Sequence, residues 1–295
     1  NLVVESAIKI ARSLKISEGF IGLTVLSIGT SLPEIFAHIL ASFRIIQGGD
    51  GVLSSVAVGT NIGSNLVQIT LIIGLVGLLA KVYADKKILK IDFIVMLSSI
   101  ILVFLFSFNG FISRTEGVIL AVLYIAYLIY LSKEEKIHSK KIFKTNYIVD
   151  ALLMTVGFVF LLGGAKYVLD NAVKLTDLFG WSGLFVGTLI VGVGTALPEL
   201  TTALMSIYKG KHSMSLGTLV GSNITNPLFA LGLGAAISGY SVTKELILFD
   251  LPFWFVVSII ALDFFWSNLK LNRKEASILI LFYLAYVFVK INFFI

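Results

Sequence analysis

An all-α integral membrane protein is the fold this sequence predicts, with about ten transmembrane helices set out as two inverted-topology five-helix repeats. Three observations carry that expectation. Of the 295 residues, 57% are hydrophobic and only 14% are charged, and mean hydropathy is +0.98, whereas soluble domains carry roughly 25% charged residues. Apolar runs long enough to cross a hydrocarbon core of about 30 Å recur along the chain. Finally, two motifs each occur twice: GTSLPE at 29–34 and GTALPE at 194–199, then GTNIGSN at 59–65 and GTLVGSN at 217–223.

Other classes fit poorly. The net charge of +6 comes from basic residues dispersed between apolar runs, without the aromatic platform that a nucleic-acid binder interleaves with its charges. The absence of cysteine excludes disulfides and thiolate metal sites. No enzyme motif such as HExxH is present, so no enzymatic activity is expected.

In chain order, residues 1–19 offer too short an apolar stretch to span a bilayer, and read as the end of a first helix begun upstream of Asn1. Nine longer segments follow, at about 20–43, 52–80, 91–108, 117–131, 147–169, 183–208, 215–239, 246–266 and 276–294. The polar stretch 132–146, SKEEKIHSKKIFKTN, separates a first repeat over 1–131 from a second over 147–295. The motif pairs occupy about 20–70 and 183–230.

Alternate connections hold sixteen Lys and Arg residues and the intervening ones hold four, Arg44, Arg114, Lys174 and Lys244. Positive charge favours the cytoplasmic side, so the sixteen, with the 132–146 linker, are placed there in a multi-pass cell-membrane protein. Five helices, an odd number, separate the motif copies, which therefore cross the membrane in opposite directions. Such inverted repeats form their substrate sites near the midplane, where the halves meet.

Glu34 and Glu199 lie inside apolar runs, where a carboxylate is costly and marks a functional position. Pro33 and Pro198 cannot donate to their helices, which frees carbonyls near 27–30 and 192–195. One bent turn then offers carbonyl, threonine hydroxyl and carboxylate oxygens, a hard set suited to Ca²⁺ or Na⁺. GxxxG at 59–63 and 217–221 permits close helix approach. Ser64 with Gln68, and Ser222 with Asn226, share helix faces at i,i+4. Such faces meet either a cation or another helix.

These motif pairs resemble the α-repeats of the calcium/cation antiporter superfamily, in particular its sodium/calcium exchanger branch of prokaryotic and archaeal type. The resemblance covers nearly the whole chain. It implies Ca²⁺ and Na⁺ as transported ions, no cofactor, and alternating access through movement of the first and sixth helices. It implies Glu34 and Glu199 as Ca²⁺ carboxylates, with Thr30 and Thr195 beside them and backbone carbonyls at Ser27 and Gly192. Ser31, Ser64 and Ser222 would serve Na⁺, with Gln68 and Asn226 at the flanking amide positions. Ala196 stands where a serine matching Ser31 is the commoner residue, and Asn226 where many members carry aspartate. The latter argues against potassium cotransport, because the potassium-dependent branch has aspartate there. Expected partners are the lipid bilayer, Ca²⁺, Na⁺ and a segment upstream of Asn1, with no nucleic acid.

Three alternatives stand beside this reading. Proton/calcium exchange would use the same two glutamates as proton carriers. A transition-metal protein is suggested by Glu34 and His38 at i,i+4, although the second repeat has Ala203 at the corresponding place. A passive channel would lack counter-ion coupling. Charged residues near helix ends, among them Lys166, Asp170, Asp250 and Lys290, are expected to reach the membrane interface.

Overall fold

The computed structural model describes residues 18–49, 51–134 and 147–294. Residues before 18, where the sequence leads one to expect the end of a first helix, and linker residues 135–146 lie outside them. All nine expected apolar segments are helical. They are α1 (Gly22–Thr30) and α2 (Leu32–Ile46), a consecutive pair bent against each other, then α3 (Gly51–Leu79), α4 (Ile88–Ser107) and α5 (Arg114–Glu134). After the linker come α6 (Tyr147–Phe179), α7 (Gly183–Tyr208), α8 (212–238), α9 (Leu246–Asn268) and α10 (Arg273–Phe293). On length and composition six described helices can cross a membrane, or seven when the bent α1–α2 pair is counted as one span. Large apolar side chains such as Leu105, Val122, Leu248 and Phe288 are exposed on the outer helices, where lipid tails would cover them.

Repetition is visible in the backbone as well as in the motifs. Single-turn π-helical segments occur at Gly22–Leu26 and Val186–Val191, at Gln68–Ile72 and Asn226–Ala230, and at Ile88–Asp92 and Leu246–Asp250. Each pair occupies matching repeat positions. Two short antiparallel ribbons join the halves: β1 (Val82–Tyr83) pairs with β4 (Lys270–Leu271), and β2 (Phe111–Ile112) with β3 (Tyr240–Ser241). The turn after α3 therefore shares a face with the turn after α9, while its counterpart after α8 shares a face with the turn after α4. Corresponding turns lie with different partners, as an inverted duplication requires. At the residue before β2 the chain uses Gly110 (φ 83°), whereas the matching Leu269 before β4 adopts φ 53°, a left-handed conformation that costs a leucine energy.

The glycines expected to allow close approach do so. A methyl group on Gly63 would sit 2.2 Å from the Thr188 carbonyl oxygen, and one on Gly221 2.8 Å from that of Leu23. Gly187 and Gly22 meet the Val56 and Met214 carbonyls in the same manner, at 2.6 and 2.8 Å. Thus α3 crosses α7, and α8 crosses α1, at equivalent backbone-to-backbone contacts.

One expectation about charged residues is corrected, while Asp170, partly exposed, forms an ion pair with Arg44. Lys290 and Asp250 are not interfacial but fully buried: Lys290 Nζ donates to Asp250 Oδ2 at 3.2 Å and to Glu245, and Tyr286 OH donates to Asp250 Oδ1 at 2.6 Å. The first repeat keeps the matching tyrosine contact, Tyr127 OH to Asp92 Oδ1 at 2.7 Å, but has Leu131 where Lys290 stands. A buried ammonium persists because two carboxylates answer it, a partnership invisible in one helix taken alone.

Gly63→Ala and Gly221→Ala should each destabilise the detergent-solubilised protein by about 1–3 kcal/mol through forced separation of paired helices. Thermal unfolding measures this. Gly164→Ala, whose added methyl meets nothing within 4 Å, should leave the midpoint unchanged or raise it slightly.

Candidate functional site

The site grows from two interrupted helices. Pro33 is the second residue of α2 and Ser31 precedes that helix with φ −81° and ψ 2°, so α1 and α2 meet at 50°. In α7 the matching interruption falls at Ala196, before Leu197–Tyr208, and Pro198 takes the equivalent place. Because proline has no N–H, the backbone donor is lost to the carbonyls four residues earlier, Gly29 and Gly194. Ser27 and Gly192 keep a donor each, from Ser31 N at 3.0 Å and Ala196 N at 3.2 Å. The freed carbonyls are thus narrower in number than the stretches 27–30 and 192–195.

Both glutamates are fully buried in the first turn of the helix after the break. Each carboxylate receives a serine from the neighbouring motif helix: Ser64 Oγ donates to Glu34 Oε1 at 3.0 Å, and Ser222 Oγ to Glu199 Oε1 at 3.3 Å. Across the repeats, Glu34 lies within electrostatic reach of Glu199 and faces Thr195, while Glu199 faces Thr30 and Ser31. The Thr30 and Ser222 hydroxyls are 3.4 Å apart, and Ser222 Oγ lies 3.5 Å from the Ser27 carbonyl oxygen. Thr30 Oγ1 donates to Leu26 O at 2.9 Å, and Thr195 Oγ1 to Gly192 O at 3.3 Å. These bonds direct the hydroxyl lone pairs away from their own helices.

Five buried oxygens on these elements find no hydrogen-bond partner among the described residues: Ser31 Oγ, Glu34 Oε2, Glu199 Oε2, Asn226 Oδ1 and, near the start of α8, Ser215 Oγ. Buried polar atoms are almost always paired, so the first four, on the residues expected to meet ions, are suited to a cation. Two carboxylates balance the charge of one divalent ion, and the remaining donors are neutral oxygens, the set that hard cations prefer.

The amide residues divide. Gln68 Nε2 donates to Ser64 Oγ at 3.0 Å and Gln68 Oε1 accepts from Asn223 Nδ2 at 2.9 Å. Asn226 Nδ2 donates to Asn65 Oδ1 at 3.0 Å. Residues not singled out from sequence, Asn61, Asn65, Asn223, Thr225 and Trp254, complete this polar centre. Three of them are the asparagines of the GTNIGSN and GTLVGSN motifs, so the signal was in plain view as the polar letters of each repeat.

His38 is fully buried, but both ring nitrogens are engaged, Nδ1 with Tyr240 OH at 3.1 Å and Nε2 with Asn61 Nδ2 at 3.2 Å. Among the described residues no group of three His, Cys, Asp or Glu side chains could hold a metal ion. The transition-metal reading of Glu34 and His38 therefore lacks a ligand cluster in the described part of the protein.

The sequence matches the profile of the family described as sodium/calcium exchanger protein over residues 1–133 and 149–292. It is 33% identical to the sodium/calcium exchanger MaX1 of Methanosarcina acetivorans, over 97% of this chain and 92% of that one. With the inner membrane protein YrbG of Escherichia coli it shares 28% identity over 94% and 87% of the two chains. A solved structure of the sodium-calcium exchanger NCX_Mj, soaked with Na⁺ and Sr²⁺, superposes with a TM-score of 0.73 at 27% identity, covering 97% of this chain and 91% of the other.

Ser64→Ala and Ser222→Ala each delete a hydrogen bond to a carboxylate, an interaction of about 1.5–3 kcal/mol. Titration calorimetry of the purified protein with Ca²⁺ as a probe cation should record affinity weakened by about 10- to 100-fold in each variant.

Proposed function

The chain belongs to the sodium/calcium exchanger protein family, and we propose that it exchanges Ca²⁺ for Na⁺ across the membrane, with Ca²⁺ held between Glu34 and Glu199. The observation that carries this reading is the meeting of these two buried carboxylates, one from each repeat, among unanswered neutral oxygens. Thr30 and Thr195 supply hydroxyl oxygens, and the carbonyls of Ser27 and Gly192 lie beside them. Two glutamates neutralise one Ca²⁺, so the loaded centre is uncharged and tolerates its apolar surroundings.

Na⁺ competes for the same oxygens, at positions formed by Ser31, Ser64 and Ser222 with Gln68 and Asn226 flanking them. Ala196 is buried at the place matching Ser31 and brings no hydroxyl. The Na⁺ positions of the two repeats are accordingly unequal. Repeats over 1–131 and 147–295 alternate the exposure of this centre to the two sides, with the linker 132–146 on the cytoplasmic face, as the distribution of Lys and Arg supports.

Proton/calcium exchange is the second reading, favoured by one feature. Glu34 Oε2 and Glu199 Oε2 are buried without partners, so either oxygen has room for a proton. The serine hydroxyls gathered at the carboxylates support Na⁺, since a proton needs no such oxygen cage.

Transport into vesicles separates the two. Vesicles loaded with Na⁺ and diluted into Na⁺-free medium should accumulate Ca²⁺, and Glu34→Gln or Glu199→Gln should lower the initial rate at limiting Ca²⁺ by at least about a hundredfold, the scale of removing one partner from a buried charge pair. Uptake driven by a pH gradient and not by a Na⁺ gradient would replace the sodium reading with the proton one.

A further inference from the structure

Gln68 and Asn226 occupy matching positions of the two repeats, each at the start of a π-helical turn. Their amides point opposite ways. Which atom of an amide faces a site is settled by its hydrogen-bond partners, and here two chains of partners settle it from atoms that have only one role.

The first chain starts at Trp254, whose indole N–H can only donate. It donates to Asn223 Oδ1 at 3.1 Å, which turns Asn223 Nδ2 toward Gln68 Oε1 at 2.9 Å and toward the Leu219 carbonyl at 3.0 Å. Gln68 must then offer its NH₂ to Ser64 Oγ at 3.0 Å, and Ser64 passes its own hydrogen to Glu34 Oε1. Gln68 ends with its amide nitrogen toward the Glu34 side.

The second chain starts at the Asn226 backbone carbonyl, which can only accept. It takes a hydrogen from Asn61 Nδ2 at 2.7 Å, and the same NH₂ faces His38 Nε2 at 3.2 Å, so that nitrogen holds its lone pair. The remaining His38 hydrogen, on Nδ1, goes to Tyr240 OH at 3.1 Å. Asn61 Oδ1 is left to face Asn65 Nδ2 at 3.5 Å, and Asn65 Oδ1 in turn accepts Asn226 Nδ2 at 3.0 Å. Turning any one of these amides over would set acceptor against acceptor or donor against donor. Asn226 Oδ1 is what remains, buried and without a partner among the described residues.

Neither chain of partners is duplicated in the other repeat. Met96 stands at the position matching Trp254, and Leu219 at the one matching Asn61, while Ala203 matches His38. We infer that Asn61 and Asn65 are positioning residues that present the Asn226 side-chain oxygen, rather than its NH₂, to a bound Na⁺, and that Gln68 acts only through Ser64. A neutral amide can serve a cation only when its oxygen faces inward. The chain of partners supplies the direction that a carboxylate at 226 would not need. This rests on the reading of Asn226 as a Na⁺ position.

The test measures the Na⁺ concentration giving half-maximal Ca²⁺ uptake in vesicles. Asn226→Ala should raise it about tenfold, and no change would remove Asn226 from the Na⁺ positions and the inference with it. Asn65→Leu, which deletes the acceptor that holds Asn226 Nδ2, should also raise it about tenfold. In an Asn226→Asp background the Leu substitution should change it by less than about twofold, because a carboxylate presents oxygen whichever way it turns. An equal penalty in both backgrounds would overturn the positioning role while leaving Asn226 a Na⁺ position. Should the Asn226→Asp protein fail to fold or transport, Asn65→Asp decides: a carboxylate still accepts from Asn226 Nδ2, although it sets an acceptor against Asn61 Oδ1, and should be less impaired than Asn65→Leu. If Asn65→Asp is as impaired as Asn65→Leu, the inference is wrong.

Discussion

Two carboxylates at the centre of an apolar helix bundle set the terms for the rest of this protein. Carboxylates buried side by side repel one another and lose hydration, so every neighbouring element is arranged to answer them. Helix breaks at Ser31 and Ala196 bring each glutamate to the start of a new helix, where the dipole favours negative charge. The glycine crossings at Gly63 and Gly221 then let α3 and α8 come close enough for Ser64 and Ser222 to reach them. Removing the glutamates would leave these features without a purpose.

The duplicated architecture does not make the two halves chemically equal. The backbone repeats closely, in paired π-helical turns, paired ribbons and paired glycine contacts. Side chains depart from it at selected places: Ser31 against Ala196, Gln68 against Asn226, Lys290 against Leu131. Backbone symmetry brings the oxygens together, and its local violation distinguishes the positions around them.

Much of this was legible in the sequence, and the reasons for success and failure differ by residue. Hydropathy located the spans because a membrane imposes length and apolarity on each helix separately. Pro33, Pro198 and the GxxxG spacings announced the breaks and the crossings because their effects are local. Lys290 read as interfacial because its answering groups, Asp250 and Glu245, lie on or beside another helix. His38 suggested a metal because Glu34 is one turn away, whereas its actual partners, Asn61 and Tyr240, are distant in the chain. The direction of each amide depends on donors and acceptors contributed by several helices, so no spacing along one helix encodes it. Ribbons of two residues are too short to leave any alternating pattern.

The one-sided polar chain of His38, Asn61 and Tyr240 has an energetic consequence. A molecule built of two identical inverted halves could exchange their conformations and arrive at its mirror state with no change in free energy, so its opening to either side would be equally populated. Here β3, which carries Tyr240, and α2, which carries His38 and Ser42, are tied together by Tyr240 OH contacts of 3.1 Å to His38 Nδ1 and 2.7 Å to Ser42 Oγ. The matching positions in the other half hold Val82, Ala203 and Ile207, which cannot form such a tie. The two ends of the molecule are therefore held by unlike contacts, Tyr240 to His38 and Ser42 at one and Ser213 Oγ to Asp85 Oδ2 at 2.8 Å at the other. A difference of about 1.4 kcal/mol between the two ends shifts the resting population tenfold.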